Sequence, residues 1–196
     1  MIARLRLLSL LPALVLFFFP WVEIKCQKDP MLTQTGIQII YGGATMHPEF
    51  SQWVTSDKKR DMDDRLGTGW FVGIALLCVL AAIVFAILAL RPGGGGHGFR
   101  AEGFAALALI ALVIQLSLGF PAEEKIRNDL DPAKNGKPQE GFEAGMARTF
   151  AKSLSTRVLP LYYVQFALLG FPVLLSLNSS LARRQGKETT SPDGRT

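Results

Sequence analysis

The chain has little from which to build a reactive centre. Its 196 residues include only two cysteines and two histidines. Two cysteines make no disulfide framework. Cys26 follows the first apolar block and Cys78 lies inside the second, so a bridge with Cα atoms within about 7 Å is not expected. Cys26, His47 and Glu49 fall short of a four-ligand zinc pattern, and His97 belongs to a distant connector, so no metal is expected. The run GGGGHG at residues 93–98 lacks the Gly-Lys-Ser/Thr ending of a phosphate loop. Neither an HExxH motif, a nucleophile elbow nor a plausible Ser–His–Asp set is present. These absences predict no catalytic residues, no cofactor and no enzymatic activity. The net charge is +5, from 21 Lys and Arg against 16 Asp and Glu. The basic residues form no stripe and the three tyrosines do not interleave with them, which excludes a nucleic-acid platform.

Charge is also nearly absent from four long apolar blocks, at residues 5–22, 70–90, 103–120 and 158–177. A spanning helix needs about 20 apolar residues, with a range of about 17–25, and each block qualifies. The expected fold is an all-α four-helix transmembrane bundle with a small extracytoplasmic cap of strands and helices. It forms one domain over residues 1–178, followed by a disordered cytoplasmic tail at 179–196. The first block follows Arg4 and Arg6 as a signal peptide would, but it ends FFFPWVEIKC without small A-x-A residues. It is therefore read as an uncleaved span that Pro20 ends. Arg4 and Arg6, Arg91 and Arg100, and Arg183, Arg184 and Lys187 flank the blocks on one side, which the positive-inside rule assigns to the cytoplasm with both termini. The connectors at 23–69 and 121–157 then face outward.

The first outer connector opens WVEIKC, where Val22, Ile24 and Cys26 alternate with Glu23 and Lys25, a strand period. Asp29-Pro30 reads as a turn. Residues 32–43, LTQTGIQIIYGG, read as a second strand, rich in β-branched residues. Gly36 within it marks a bulge or a close backbone approach. MHPEFSQWV and the charged run after it read as irregular chain with a short helical turn. In the second connector, PAEEKIRNDL reads as a short helix with Pro121 in its first turn and Glu123 and Glu124 at its positive end. Phe142, Met146, Phe150 and Leu154 recur every four residues, which predicts an amphipathic helix over 142–154, on lipid or on the protein itself. Residues 93–98 read as a flexible hinge.

PWVEIKC followed by TQTGIQIIYGG resembles a motif of uncharacterised bacterial four-pass membrane proteins. In those, a Pro-aromatic exit from the first span leads to a strand ending in Cys, and then to a Thr-Gln-Ser/Thr-Gly-Ile/Leu-Gln segment. The likeness covers about residues 20–43 and the four-span layout. It implies a bacterial plasma-membrane location and no particular activity. Claudins share the architecture, but the Gly-Leu-Trp and paired loop cysteines of that family are missing here, so only the analogy stands.

Ionisable groups are scarce inside the blocks, which argues against ion-coupled transport. Gln115 and Gln165 are the expected intramembrane polar pair, both on the order of 7–11 Å below the outer surface and able to bond across helices. Trp21, Trp70, Tyr162 and Tyr163 are expected in an aromatic belt. The function expected is that of a structural or interaction protein embedded in the lipid bilayer. It engages an envelope partner or a second copy of itself through Gln34, Gln38 and Tyr41, with Trp53 beside them. The alternative is a small transport or channel subunit.

Overall fold

The structure, a computed structural model, describes residues 2–27, 29–51, 66–91, 95–130, 149 and 153–188. Helix α1 (Ile2–Leu16) leads through a tight turn into strand β1 (Pro20–Cys26), followed by β2 (Asp29–Thr35), α2 (Gly36–Tyr41), β3 (Thr45–Met46) and α3 (Pro48–Ser51). Then come α4 (Trp70–Leu88), α5 (Gly95–Leu118), α6 (Pro121–Leu130), β4 (Leu154–Val158) and α7 (Pro160–Glu188). The protein is mostly helical with one small sheet. Helices α4, α5 and α7 are long and apolar enough to cross a membrane.

Those three helices pack with α1 around a core rich in alanine. Val72, Ala75, Val79, Ala82 and Ala86 of α4 recur at steps of three and four and are fully buried. Ala101, Ala105, Ala108 and Leu112 of α5 do the same, and Leu10 and Ala13 of α1 and Tyr162 and Leu169 of α7 complete the core. Small side chains let the helix backbones approach closely, so dispersion contacts hold the bundle where lipid removes a hydrophobic driving force. The opposite faces are apolar too: Leu8, Leu11 and Val15; Ile74, Leu77 and Val84; Leu107, Ile110 and Val113; and Val164, Phe171 and Leu174 are all exposed. Helices apolar all round suit a membrane.

Several boundaries differ from the sequence reading. The first apolar block is not helical to residue 22: α1 stops at Leu16, where Phe17, Phe18 and Phe19 form i→i−3 hydrogen bonds. Pro20 offers no N–H to continue the helix, and the Trp21 indole donates to the Leu16 carbonyl at 2.7 Å. Asp29 and Pro30 are not a turn but open β2, opposite Cys26 and Lys25; Gln27 makes the reversal with φ 59°. Residues 36–41 are helix rather than strand, because Thr35 and Gln38 form a reciprocal capping box and Gly42, at φ 83°, ends the turn. Val158 belongs to β4, and α7 starts at Pro160, a residue suited to the first helical turn. Helix α7 continues to Glu188, through the first half of the expected disordered tail. Helix α5 begins at Gly95, inside the expected hinge. Of the helix expected over 142–154, Thr149 and Ser153 are helical and Leu154 is instead the first residue of β4; Phe142, Met146 and Phe150 lie outside the described residues.

The sheet is antiparallel with strand order β3-β2-β1-β4. Val22, Ile24 and Cys26 of β1 face Val158, Thr156 and Leu154 of β4. Ile24, Met31, Leu32, Leu66, Ala122, Ile126 and Leu154 form a second, smaller core between the sheet and α6. The sheet, α2 and α6 thus make a cap with its own interior on one end of the bundle.

Candidate functional site

Trp21 joins the cap to the bundle. It is fully buried, with its ring 4.7 Å from Phe17 and 5.2 Å from Tyr162 between centroids. Gly36 lies against it: a Cβ at that glycine would come within 2.9 Å of the indole and 3.0 Å of Phe17. Gly36 is therefore the close approach its sequence position announced. The Ile37 N–H donates to the Phe17 carbonyl at 2.9 Å and Leu159 N–H to Trp21 O at 2.7 Å, so α2 and the start of α7 are both tied to the end of α1. Trp21 and Tyr162 are not belt residues, since neither is exposed. Tyr162 donates its hydroxyl to Leu112 O at 2.7 Å. Trp70 and Tyr163 are exposed, as a belt requires.

The cap residues expected to meet a partner divide. Gln34 is 1% exposed and donates to Gly43 O at 2.7 Å, holding the chain after α2. Gln38 accepts from Thr35 N–H at 2.9 Å and donates to Thr45 Oγ1 at 2.9 Å. The Gln38 amide is bonded to the fold at both ends, and Gln34 through its Nε2, its buried Oε1 having no hydrogen-bond partner among the described residues. Tyr41, 60% exposed, projects from the end of α2. Trp53 lies outside the described residues. Cys26 is a free, half-buried thiol 3.2 Å from Ser153 Oγ.

Within the bundle, Gln115 and Gln165 are both buried but make no hydrogen bond to each other. Gln115 donates to Gly119 O at 2.7 Å, closing the end of α5 where Gly119 turns with φ 82°. Gln165 is fully buried, and neither its Nε2 nor its Oε1 has a hydrogen-bond partner among the described residues. An amide left so in an apolar interior costs about 1–3 kcal/mol by protein mutational measures.

At the end away from the cap, the structure adds a site that the sequence reading missed. Arg6 of α1 forms an ion pair with Glu102 of α5, and Ser176 of α7 donates its hydroxyl to the same carboxylate. The two charged side chains are 14% and 7% exposed. Gly98 lies against the guanidinium, in space a Cβ would contest. Beside it, His97 and Phe104 stack on Phe85, and Arg100 sits 5.9 Å above that ring. Arg6 and Glu102 each lie near a block boundary, where a charge reads as solvated; their pairing across two helices is a long-range fact. Among the described residues no group of three His, Cys, Asp or Glu could hold a metal ion.

Comparison with protein-family models, with curated proteins and with solved structures finds no match to this chain.

Proposed function

We propose that the chain is a four-span plasma-membrane protein, with both termini cytoplasmic, whose cap engages a protein partner in the envelope. Helix α1 is the fourth span. Its 15 residues rise about 22 Å, and the turn at Phe17–Phe19 extends it. Leu8, Leu11, Val15, Phe18 and Phe19 face outward as lipid-facing residues do. The exposure of Tyr41 carries the interaction reading: a large amphipathic side chain is presented to solvent from a short helix fixed by a capping box and by Gly36 against Trp21. Tyrosine is among the residues that supply most interface energy.

The test compares purification of the tagged full chain with its Tyr41→Ala variant from native membranes in mild detergent. A stoichiometric partner lost from Tyr41→Ala at equal expression supports the reading. A homo-oligomer alone, unchanged by Tyr41→Ala, overturns it. Topology is read separately in a Cys26→Ser background: a membrane-impermeant thiol reagent should label Asp29→Cys in intact cells and Arg91→Cys only after lysis. The second reading, a small transport or channel subunit, draws on the unpartnered amide of Gln165, and liposome flux altered by Gln165→Leu would favour it.

A further inference from the structure

At the end of the bundle away from the cap, the Glu102 carboxylate is taken up by Arg6 and Ser176. Three more arginines at that end, Arg4, Arg91 and Arg100, are exposed and form no ion pair among the described residues. Arg100 has the most defined surroundings. Its guanidinium lies 5.9 Å above the Phe85 ring, and that ring stacks on Phe104 at 5.4 Å and on His97 at 6.1 Å. A ring under a guanidinium positions the cation without neutralising it. Arg91 lies four residues before α5 begins at Gly95, a reach of at most about 14 Å, so it brings a second unpaired charge to the same corner.

The face of α5 that carries Arg100 continues through Gly103, Leu107, Ile110 and Ile114, at steps of three and four. All four are exposed, and Gly103 has open space where a side chain would stand. From the end inward, the face therefore offers a cation, a notch and an apolar rail. From Gly103 to Ile114 the helix rises about 16 Å, close to half of a hydrocarbon core about 30 Å thick, which is the depth of one leaflet. Phosphate, glycerol backbone and acyl chain follow one another in the same order in a phospholipid.

We infer that this face of α5 binds an anionic phospholipid. Its phosphate sits on Arg100 with Arg91 adding charge, its glycerol backbone enters the notch at Gly103, and one acyl chain follows Leu107, Ile110 and Ile114. A lipid is the occupant rather than free phosphate because the apolar rail continues directly from the cation. Its headgroup is anionic rather than zwitterionic because the one carboxylate beside the site, that of Glu102, is already taken by Arg6 and Ser176. The inference rests on the reading of α5 as a membrane span, and on neither Tyr41 nor the sidedness of the membrane.

Native mass spectrometry of the purified full chain in detergent tests it, with dioleoyl phosphatidylglycerol and dioleoyl phosphatidylcholine as probes. An arginine beside an anionic headgroup is worth about fivefold in affinity. The phosphatidylglycerol adduct should therefore exceed the phosphatidylcholine adduct at least about fivefold, and Arg100→Gln should weaken it by about that factor. Gly103→Leu fills the notch at an exposed helical position and should weaken it as much. Arg4→Gln is the control. Arg4 and Arg6 are about 200° apart on α1, so with Arg6 turned to Glu102 the Arg4 side chain points away from α5, and this variant should keep the lipid. Glycerol 3-phosphate should not displace it. Equal adducts of the two lipids on the wild-type chain overturn the inference with no variant needed. Equal losses in Arg4→Gln and Arg100→Gln overturn it, because a diffuse basic rim then attracts the lipid. Full binding by Gly103→Leu, or displacement by glycerol 3-phosphate, overturns it by showing a headgroup held without a chain. A dimer that Gly103→Leu dissociates places a second copy in the notch and overturns it too. Thiol labelling of Asp29→Cys and Arg91→Cys reports on the spans separately, so failure of that reading and failure of the lipid site are distinguishable.

Discussion

Breaking the Arg6–Glu102 pair one side at a time should damage the protein far more than removing both sides together. Each charge is almost shut off from solvent, at 14% and 7% exposure, so Arg6→Met leaves a buried carboxylate with only the Ser176 hydroxyl, and Glu102→Leu leaves a buried guanidinium. Removing one partner of such a pair costs about 3–5 kcal/mol, while replacing the whole pair with apolar groups is often neutral or stabilising. The double variant should therefore lie within about 1 kcal/mol of the native chain, giving a coupling of several kcal/mol. At the roughly 2–4 °C per kcal/mol seen for soluble chains of this length, each single variant should lose about 6–20 °C in Tm. The assay is thermal unfolding of purified protein in one detergent, followed by tryptophan fluorescence, in which buried Trp21 reports on the join between cap and bundle. Gly98→Ala provides an internal check. The added methyl meets the guanidinium, so it should destabilise the native chain but be tolerated alongside Arg6→Met, where the thioether can move aside. Single variants within about 1 kcal/mol of native, or single effects that simply add in the double variant, would refute the claim that the pair is desolvated and mutually compensating.

The cap offers two further tests on the same assay. Gly36→Ala should destabilise by about 1–3 kcal/mol, because its methyl enters the space of the Trp21 and Phe17 rings; a neutral result would show that the rings yield freely. Gln38→Ala should cost about 1 kcal/mol through loss of the capping box and the bond to Thr45, and a native Tm would remove that box from the account of why α2 is a helix.

The long apolar helices were legible because each carries its own signal: a run of apolar residues does not depend on what it meets. The strand at 22–26 was legible for the same reason, through alternation, and α6 through Pro121 and its acidic first turn. The helix at 36–41 was not. Ile37, Ile39, Ile40 and Tyr41 have strand propensity, and the capping residues Thr35 and Gln38 outweighed it over six residues. The candidate site was less legible still. Gln34 and Gln38 stand out in the sequence as polar residues among apolar ones, but that pattern does not reveal whether a side chain faces a partner or a backbone carbonyl. Tyr41 is exposed, whereas Gln34 bonds the Gly43 carbonyl and Gln38 bonds the Thr35 N–H and the Thr45 hydroxyl. Glu102 escaped notice because its significance depends wholly on Arg6, a residue on another helix.

The two central strands have a consequence for how the protein is made. Strand β1 continues directly from α1 and β4 runs directly into α7, and the contact between Cys26 and Ser153 beside their paired ends spans 127 residues of sequence. The N-terminal helix thus acquires its neighbour in the sheet only when the C-terminal helix is being made. Pairing this remote is slow to form, and until it forms β1 keeps one free edge, an invitation to wrong partners. Completion of the sheet is in effect a record that the last helix has been made, because the β4 edge on β1 and the start of α7 are one continuous stretch of chain.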